Sequence, residues 1–358
     1  MTDPLSLGDL IDRQIVHHGP MSIATYMGLC LTHPRSGYYS GTDPLGAGGD
    51  FITAPEISQM FGELIGFFVV NLWQQLGQPK SFTLLELGPG RGTLMQDALR
   101  VAARAEGFLD ACHLQLFEAN PALRALQRER LGQHSPYWSD EIDAVADDPL
   151  IVVANEFFDA LPIRQFVRVG DNWHERQVGL IDGRRVLGLS PTPLPAAAMP
   201  EAVRNAAAGE VYEANLAAAD VMQRLARRIA THTGAVLAID YGYDRTQTGE
   251  TLQAVQNHGF ADPLAEPGAA DLSAHVDFAA LGRVARAEGL SVAPVATQRD
   301  FLGRLGIVER ASALARANPG QSDVLASALH RLTDSGQMGT LFKVLCVHSD
   351  GLEPIGFS

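Results

Sequence analysis

The sequence predicts an α/β protein on a Rossmann-like sheet, and three features carry that reading. From residue 81 onward short apolar runs alternate with amphipathic stretches. A glycine-rich turn stands where the first run meets the first stretch. One later run, DPLIVVANEF (148–157), is apolar almost throughout. Strand–helix alternation builds a parallel sheet covered on both faces, and a strand buried inside it loses in–out alternation.

Residues 1–80 predict a helical N-terminal cap. SIATYMGLCLT (22–32) has apolar residues at helical spacing with Ser22 as its N-cap. The Gly/Pro/Ser/Thr-rich stretch 33–56 is a long loop, and loops of that length usually serve function. Helical periodicity returns over 57–77 and stops at Gly77, with Pro79 following. The core of 81–358 starts with a strand at 81–87, a helix at 93–107, a strand at 113–119 and a helix at 121–132 bounded by Pro121 and Gly132. A weak third strand is expected near 142–145, ahead of the strand 148–157. Residues 163–190 carry turn signals at Gly170-Asp171 and Asp182-Gly183, which predict antiparallel strands and an inserted β element at about 163–195 ending in the connector SPTPLPAAAMP. A helix over 211–232, a strand over 234–242, a helix near 277–288 and late strands at 290–298 and 341–349 complete a seven-stranded sheet.

Bulk properties exclude several classes. The chain has 358 residues, 46% hydrophobic and 19% charged, as globular proteins do. The longest apolar stretch, near residues 61–73, is broken by Glu63 and Asn71, so no membrane insertion is expected. The N-terminus lacks the basic and apolar regions of a secretory signal and the Arg-rich, acid-poor character of a transit peptide, which favours a cytoplasmic setting. Three scattered cysteines without a CxxC pair suggest buried thiols in a reducing compartment, and no structural metal is expected from the eleven histidines. A net charge of −14 argues against nucleic acid and tolerates a basic substrate.

The turn itself reads ELGPGRGT (86–93). Gly88, Gly90 and Gly92 let backbone turn tightly at a helix N-terminus and approach a ligand closely. A dinucleotide fingerprint would need a third glycine at position 93, where Thr93 stands, and no P-loop is present. Glu86, two residues before Gly88, gives the E-x-G-x-G-x-G pattern of S-adenosyl-L-methionine binders. Glu118, at the end of the next strand, is placed to accept hydrogen bonds from both ribose hydroxyls. The alternative for Glu118 is an acid at the N-terminus of the helix after Asn120-Pro121.

NEFFDALP (155–162) follows the strongest strand, at the carboxyl edge where open α/β sheets bind ligands. Asn155 is assigned to the cofactor. Glu156 is the first catalytic candidate and Asp159 the second; the alternative is a polar loop with Asp159 as a cap. A cationic substrate beside a sulfonium donor needs nearby carboxylates, because two unit charges 4 Å apart repel by about 4 kcal/mol at an effective dielectric near 20. Arginine stays protonated near neutral pH, so its methylation needs acids that orient the guanidinium and receive a proton. Tyr241, with Asp240 and Tyr243, follows the strand 234–239 as a pocket wall, and His275 in AHVDF is a candidate base or a core residue.

With those residues in view, the chain resembles the MidA family, the bacterial relatives of the mitochondrial complex I assembly factor that is a protein arginine methyltransferase. The strings HPRSGYYS (33–40), GDFITAPEISQMFGE (49–63), LLELGPGRGTL (84–94), NEFFDALP (155–162) and FADPLAEPGAADLSAHVDF (260–278) carry the resemblance over nearly the full length. It implies a class I methyltransferase core with a helical cap. It also implies symmetric dimethylation of an arginine in the large quinone-site-side subunit of the proton-pumping NADH dehydrogenase. The GDFITAPE loop, with Asp50, Thr53 and Glu56, would fold over the methyl donor or substrate. A homodimer is the assembly expected. The rival readings are a non-catalytic complex I assembly protein that grips a partner, a small-molecule methyltransferase and, more distantly, a dehydrogenase.

Overall fold

The computed structural model, which describes residues 5–40, 53–142 and 144–357, holds a nine-stranded sheet, seven strands of which follow one another along a single path. They are β1 (Phe82–Leu87), β2 (Cys112–Phe117), β3 (Tyr137–Ser139), β4 (Leu150–Asn155), β5 (Gly234–Tyr243), β6 (Ser291–Val292) and β7 (Phe342–His348). Their spatial order is β3-β2-β1-β4-β5-β7-β6. β1 through β5 run parallel and β7 runs antiparallel to β5, with Ala238 opposite Leu345. The chain builds outward from β1 to β3, then returns to the other side of β1 for β4. That reversal leaves a crevice beyond the carboxyl ends of β1 and β4, the place where open α/β sheets bind ligands. Within the sheet β1 and β4 are direct neighbours, Leu84 opposite Ile151, and every residue of both is buried. The uninterrupted apolar run of β4 is therefore the run of a central strand.

Three helices frame the crevice. Ser58 caps α1 (Gln59–Gln75) through the Met60 N–H at 3.2 Å. α2 (Thr93–Ala102) starts after Gly92, and α3 (Pro121–Leu131) starts at Asn120, whose side chain accepts the Ala122 and Leu123 N–H groups. α1 lies directly on α2. A Cβ on Gly66 would come within 2.4 Å of the Ala98 carbonyl oxygen, so only glycine permits that approach. Glu63 in α1, 5% exposed, is neutralised by the Arg310 guanidinium at 2.6 and 2.7 Å and by Arg100 at 3.0 Å. A buried carboxylate persists only when paired in this way.

Contacts gather the chain into two units: the described residues of 1–51, 159–220 and 245–277, and those of 52–158, 221–244 and 278–358. The division falls elsewhere than the expected break near residue 80. α1 belongs with the sheet, because its buried face (Phe61, Ile65, Phe68, Leu72) joins the core formed by Phe82, Leu99 and Phe301. In the other unit, helices Leu7–His18 and Ile23–Thr32 share a core with Ile163 and with Val178 of the strand Asn172–Ile181. Arg185 fixes them with a bidentate pair to Asp12, at 2.7 and 3.1 Å. Ser22 caps the second helix as expected.

Several local expectations are corrected. The third strand is Tyr137–Ser139, not 142–145, because Gln115 and Phe117 of β2 are met by Tyr137 and Ser139. The first half of the connector, 190–195, continues the strand Arg184–Pro195, and a 3-10 turn, Ala196–Ala198, follows. The strand's prolines are tolerated because, among the described residues, it pairs on one side only, with Asn172–Ile181. Residues 211–214 are a strand, Val211–Ala214, paired with Arg164–Val169, and Asn215 caps the helix Leu216–His232 that follows. The run 290–298 splits into Ser291–Val292 and Ala296–Thr297 around Pro294, which has no N–H to donate.

Candidate active site

Glycine conformation explains the turn after β1. Gly88, Gly90 and Gly92 have φ of 62°, 52° and 78°, the left-handed region that side chains with a Cβ resist. The Gly92 N–H closes the turn on the Pro89 carbonyl at 2.7 Å, and the Gly88 N–H donates to the Phe117 carbonyl at 3.1 Å. The turn thus stands open at the head of α2, beside the end of β2.

Glu118 follows β2. Its Oε1 accepts the Asn120 N–H at 2.7 Å and its Oε2 accepts Gln127 Nε2 at 3.3 Å. Asn120, not Glu118, caps α3, so the capping alternative for Glu118 is taken by its neighbour. Burial raises the Glu118 pKa against those hydrogen bonds, which lower it. Glu86 is buried at 3% exposure, and among the described residues its Oε2 has no hydrogen-bond partner. Desolvation first, and the Glu118 charge second, push its pKa up to about 8.

Asn155 and Glu156 stand at the end of β4. The Glu156 N–H still pairs with the Ile239 carbonyl of β5 at 2.9 Å, but its φ is 51°. A glutamate held left-handed costs on the order of 1–2 kcal/mol and is a recurrent mark of functional positions. The twist brings Oε1 to the Ala54 N–H at 3.0 Å and to Asn155 Nδ2 at 3.1 Å. Asn155 Oδ1 is buried and, among the described residues, without a partner. Asp240 of β5, fully buried, fastens the turn by accepting the Phe158 N–H at 3.0 Å. Phe157 leans on the glycine turn: a Cβ on Gly88 would lie 3.2 Å from its ring.

Among the residues singled out from sequence, one unit holds Glu86, the three glycines, Glu118, Asn155, Glu156, Thr53, Glu56 and Tyr241. Thr53 precedes the short helix Ala54–Ile57. Glu56 on that helix accepts the Thr93 hydroxyl at the head of α2 and lies 3.9 Å from Arg130. The Tyr241 ring packs edge-on to Phe342, 5.5 Å between centroids. Asp159 and His275 belong to the other unit. Asp159 is buried with its carbonyl taking the Ala274 N–H, and the His275 N–H donates to Thr251. Asp50 lies outside the described residues. Sequence reasoning missed Ala54, Phe157 and Gln127. Only Gln127 left a signal: a glutamine in the buried row Leu123, Gln127, Leu131 of α3 is polar where an apolar residue is expected.

Two buried acceptors awaiting donors, beside a glycine cradle and an acid at the end of the second strand, fit an adenosyl group that carries cationic substituents. The comparisons with known proteins agree. Residues 64–295 match a family of putative S-adenosyl-L-methionine-dependent methyltransferases. The chain belongs to that family, as the motif strings implied, and S-adenosyl-L-methionine is its cofactor. Among its relatives is the Danio rerio protein arginine methyltransferase NDUFAF7, mitochondrial, 36% identical over 93% of this chain and 85% of the relative. The Drosophila melanogaster homolog of the same name is 34% identical, over 99% of this chain and 89% of its own length. A Burkholderia thailandensis protein crystallised with S-adenosyl-homocysteine superposes with a TM-score of 0.82 at 28% identity, covering 98% of this chain and 93% of that one.

Proposed function

We propose that this methyltransferase acts on a protein arginine, with Glu156 as the residue that orients the guanidinium and takes its proton. The observation that carries the reading is the constrained Glu156 carboxylate, twisted to φ 51° and held through Oε1 by Ala54 and Asn155. Gly88, Gly90, Gly92, Glu118, Glu86 and Asn155 would hold S-adenosyl-L-methionine, which supplies an electrophilic methyl group on a cationic sulfur. Glu118 accepts the ribose hydroxyls. Glu86 and Asn155 Oδ1 accept from donors at the cationic end. Glu156 aligns a planar guanidinium, for which carboxylates are matched acceptors. Its fixed position supplies alignment before reaction, a factor worth several kcal/mol in comparable cases. Relatives named protein arginine methyltransferases support the substrate class. The motif strings extend it to symmetric dimethylation of the large quinone-site-side subunit of the NADH dehydrogenase, in the bacterial cytoplasm, in support of complex assembly.

The test is incubation of the enzyme with methyl-labelled donor and a bacterial extract lacking the endogenous enzyme. Label is expected in protein and, after hydrolysis, in methylated arginine with the symmetric dimethyl form dominant. Label confined to low-mass products would establish a small-molecule methyltransferase instead.

Glu86 adds a pH signature. With its pKa near 8 in the ligand-free fold and about 4.3 when unfolded, the native state holds an extra proton between those values. Its burial therefore costs stability progressively as pH rises from about 4.5 to 8, and the full cost stands above 8. Glu86→Gln is expected to melt several degrees higher than the wild type at pH 8.5, with no such gain at pH 4.5. A cationic ligand favours the ionised form, so cofactor binding at pH 7 is expected to release close to one proton. Calorimetry in buffers of different ionisation enthalpy reads that release, and Glu86→Gln should abolish it. Equal melting at pH 8.5 and unchanged proton release would remove Glu86 from the site.

A further inference from the structure

We infer that Gln127 is a positioning residue for the cofactor, with its amide orientation set by Trp138 on the edge strand. Gln127 is fully buried on α3. Its Nε2 donates to the Gly90 carbonyl at 2.6 Å and to Glu118 Oε2 at 3.3 Å, and its Oε1 accepts Trp138 Nε1–H at 2.7 Å. One side chain therefore joins the apex of the glycine turn, the acid after β2, and β3.

The chemistry of the partners leaves a single arrangement. An indole N–H only donates, so the amide atom facing Trp138 is the oxygen. A backbone carbonyl and a carboxylate only accept, so the atom facing Gly90 and Glu118 is the nitrogen. With the amide reversed, oxygen would face two acceptors and NH2 would face a donor. Trp138 is itself steadied by the Arg128 guanidinium, 4.8 Å from its ring centroid. Its indole thus decides which way the Gln127 amide points, and the amide decides where Glu118 and the Gly90 peptide sit. A packing residue in the row Leu123, Gln127, Leu131 would be apolar, whereas this position supplies hydrogen-bond partners to three half-buried polar groups.

The inference rests on the assignment of Glu118 to the ribose, and the experiment separates the two. Affinities for S-adenosyl-homocysteine and its 2′-deoxyribose analogue are measured by calorimetry on the wild type, Gln127→Leu and Trp138→Phe. The wild type is expected to prefer the 2′-hydroxyl by roughly tenfold or more. Gln127→Leu keeps the volume and loses the donors. It is expected to bind S-adenosyl-homocysteine about 10- to 100-fold more weakly, with the preference shrinking toward unity. Turnover at saturating donor should stay within about threefold, so that the loss appears in KM. Trp138→Phe, at the sheet edge, is expected to lose about 3- to 10-fold and part of the preference, and it carries the test if the leucine variant does not fold. A folded Gln127→Leu with wild-type affinity and undiminished 2′-hydroxyl preference overturns the inference, as does a Trp138→Phe indistinguishable from the wild type. A wild type indifferent to the 2′-hydroxyl overturns the ribose assignment and with it the Glu118 half of the inference. The affinity loss in Gln127→Leu then decides the Gly90 half alone.

Discussion

Replacing Glu156 by glutamine is expected to lower methyl transfer by roughly 10²–10⁴-fold while leaving S-adenosyl-L-methionine affinity within about threefold. Glutamine keeps the size and one acceptor oxygen, so the link to the Ala54 N–H survives. What is lost is the negative charge that faces the guanidinium and the basic oxygen that takes its proton. A companion substitution isolates geometry from charge. Ala54 opens the short helix Ala54–Ile57, and Thr53 before it has φ −73° and ψ 161°, a conformation compatible with a following proline. Ala54→Pro therefore suits the backbone but removes the N–H that Glu156 accepts and crowds its Oε1. It is expected to reduce turnover by about 10- to 100-fold with donor affinity retained, whereas Ala54→Gly, which keeps the N–H, should stay near wild type. Kinetics with both substrates varied, together with calorimetry, read these changes. A Glu156→Gln enzyme that binds donor normally and methylates at the wild-type rate would end the catalytic assignment.

Gly90→Val is expected to cost at least about 100-fold in affinity for S-adenosyl-homocysteine. The position has φ 52°, where a β-branched residue is a genuine outlier, and its carbonyl is the atom held by Gln127 at 2.6 Å. Relief of the strain moves the peptide and disrupts both the turn and its brace. The rest of the sheet does not depend on that conformation: β1 and β4 pair through Thr83 to Leu87, ahead of the turn. The variant should therefore remain folded by circular dichroism while calorimetry shows little or no binding. Wild-type affinity in this variant would mean that the turn is structural and the cofactor binds elsewhere.

Much of the candidate site was legible because its signals are local. Strand, glycine turn and helix follow one another in sequence, and Glu118 and Asn155 stand at the ends of strands whose apolar runs announce them. The β-hairpin at 172–195 was legible for the same reason: Asp182 and Gly183, with φ of 50° and 73°, form the left-handed turn their identities predict. Features set by tertiary contact were not. α1 looks like any amphipathic cap helix until Gly66 is seen against Ala98. The strand Val211–Ala214 merges in sequence with the helix after it and is defined by its partner at 164–167. One of the two donors that hold Glu156 is a backbone N–H 102 positions earlier, and a backbone group leaves no trace in a side-chain pattern. Gln127 is the intermediate case, visible as an anomaly in a buried row but without meaning until Gly90, Glu118 and Trp138 surround it.

The most direct test of the account is calorimetric titration of the purified wild-type protein with S-adenosyl-L-methionine, with NADH titrated in parallel. One site per chain for the methyl donor, proton release at pH 7 and no heat with NADH are the predicted results. Binding of NADH, or of neither ligand, would contradict the reading of the glycine turn and Glu118 as an adenosyl methyl-donor site.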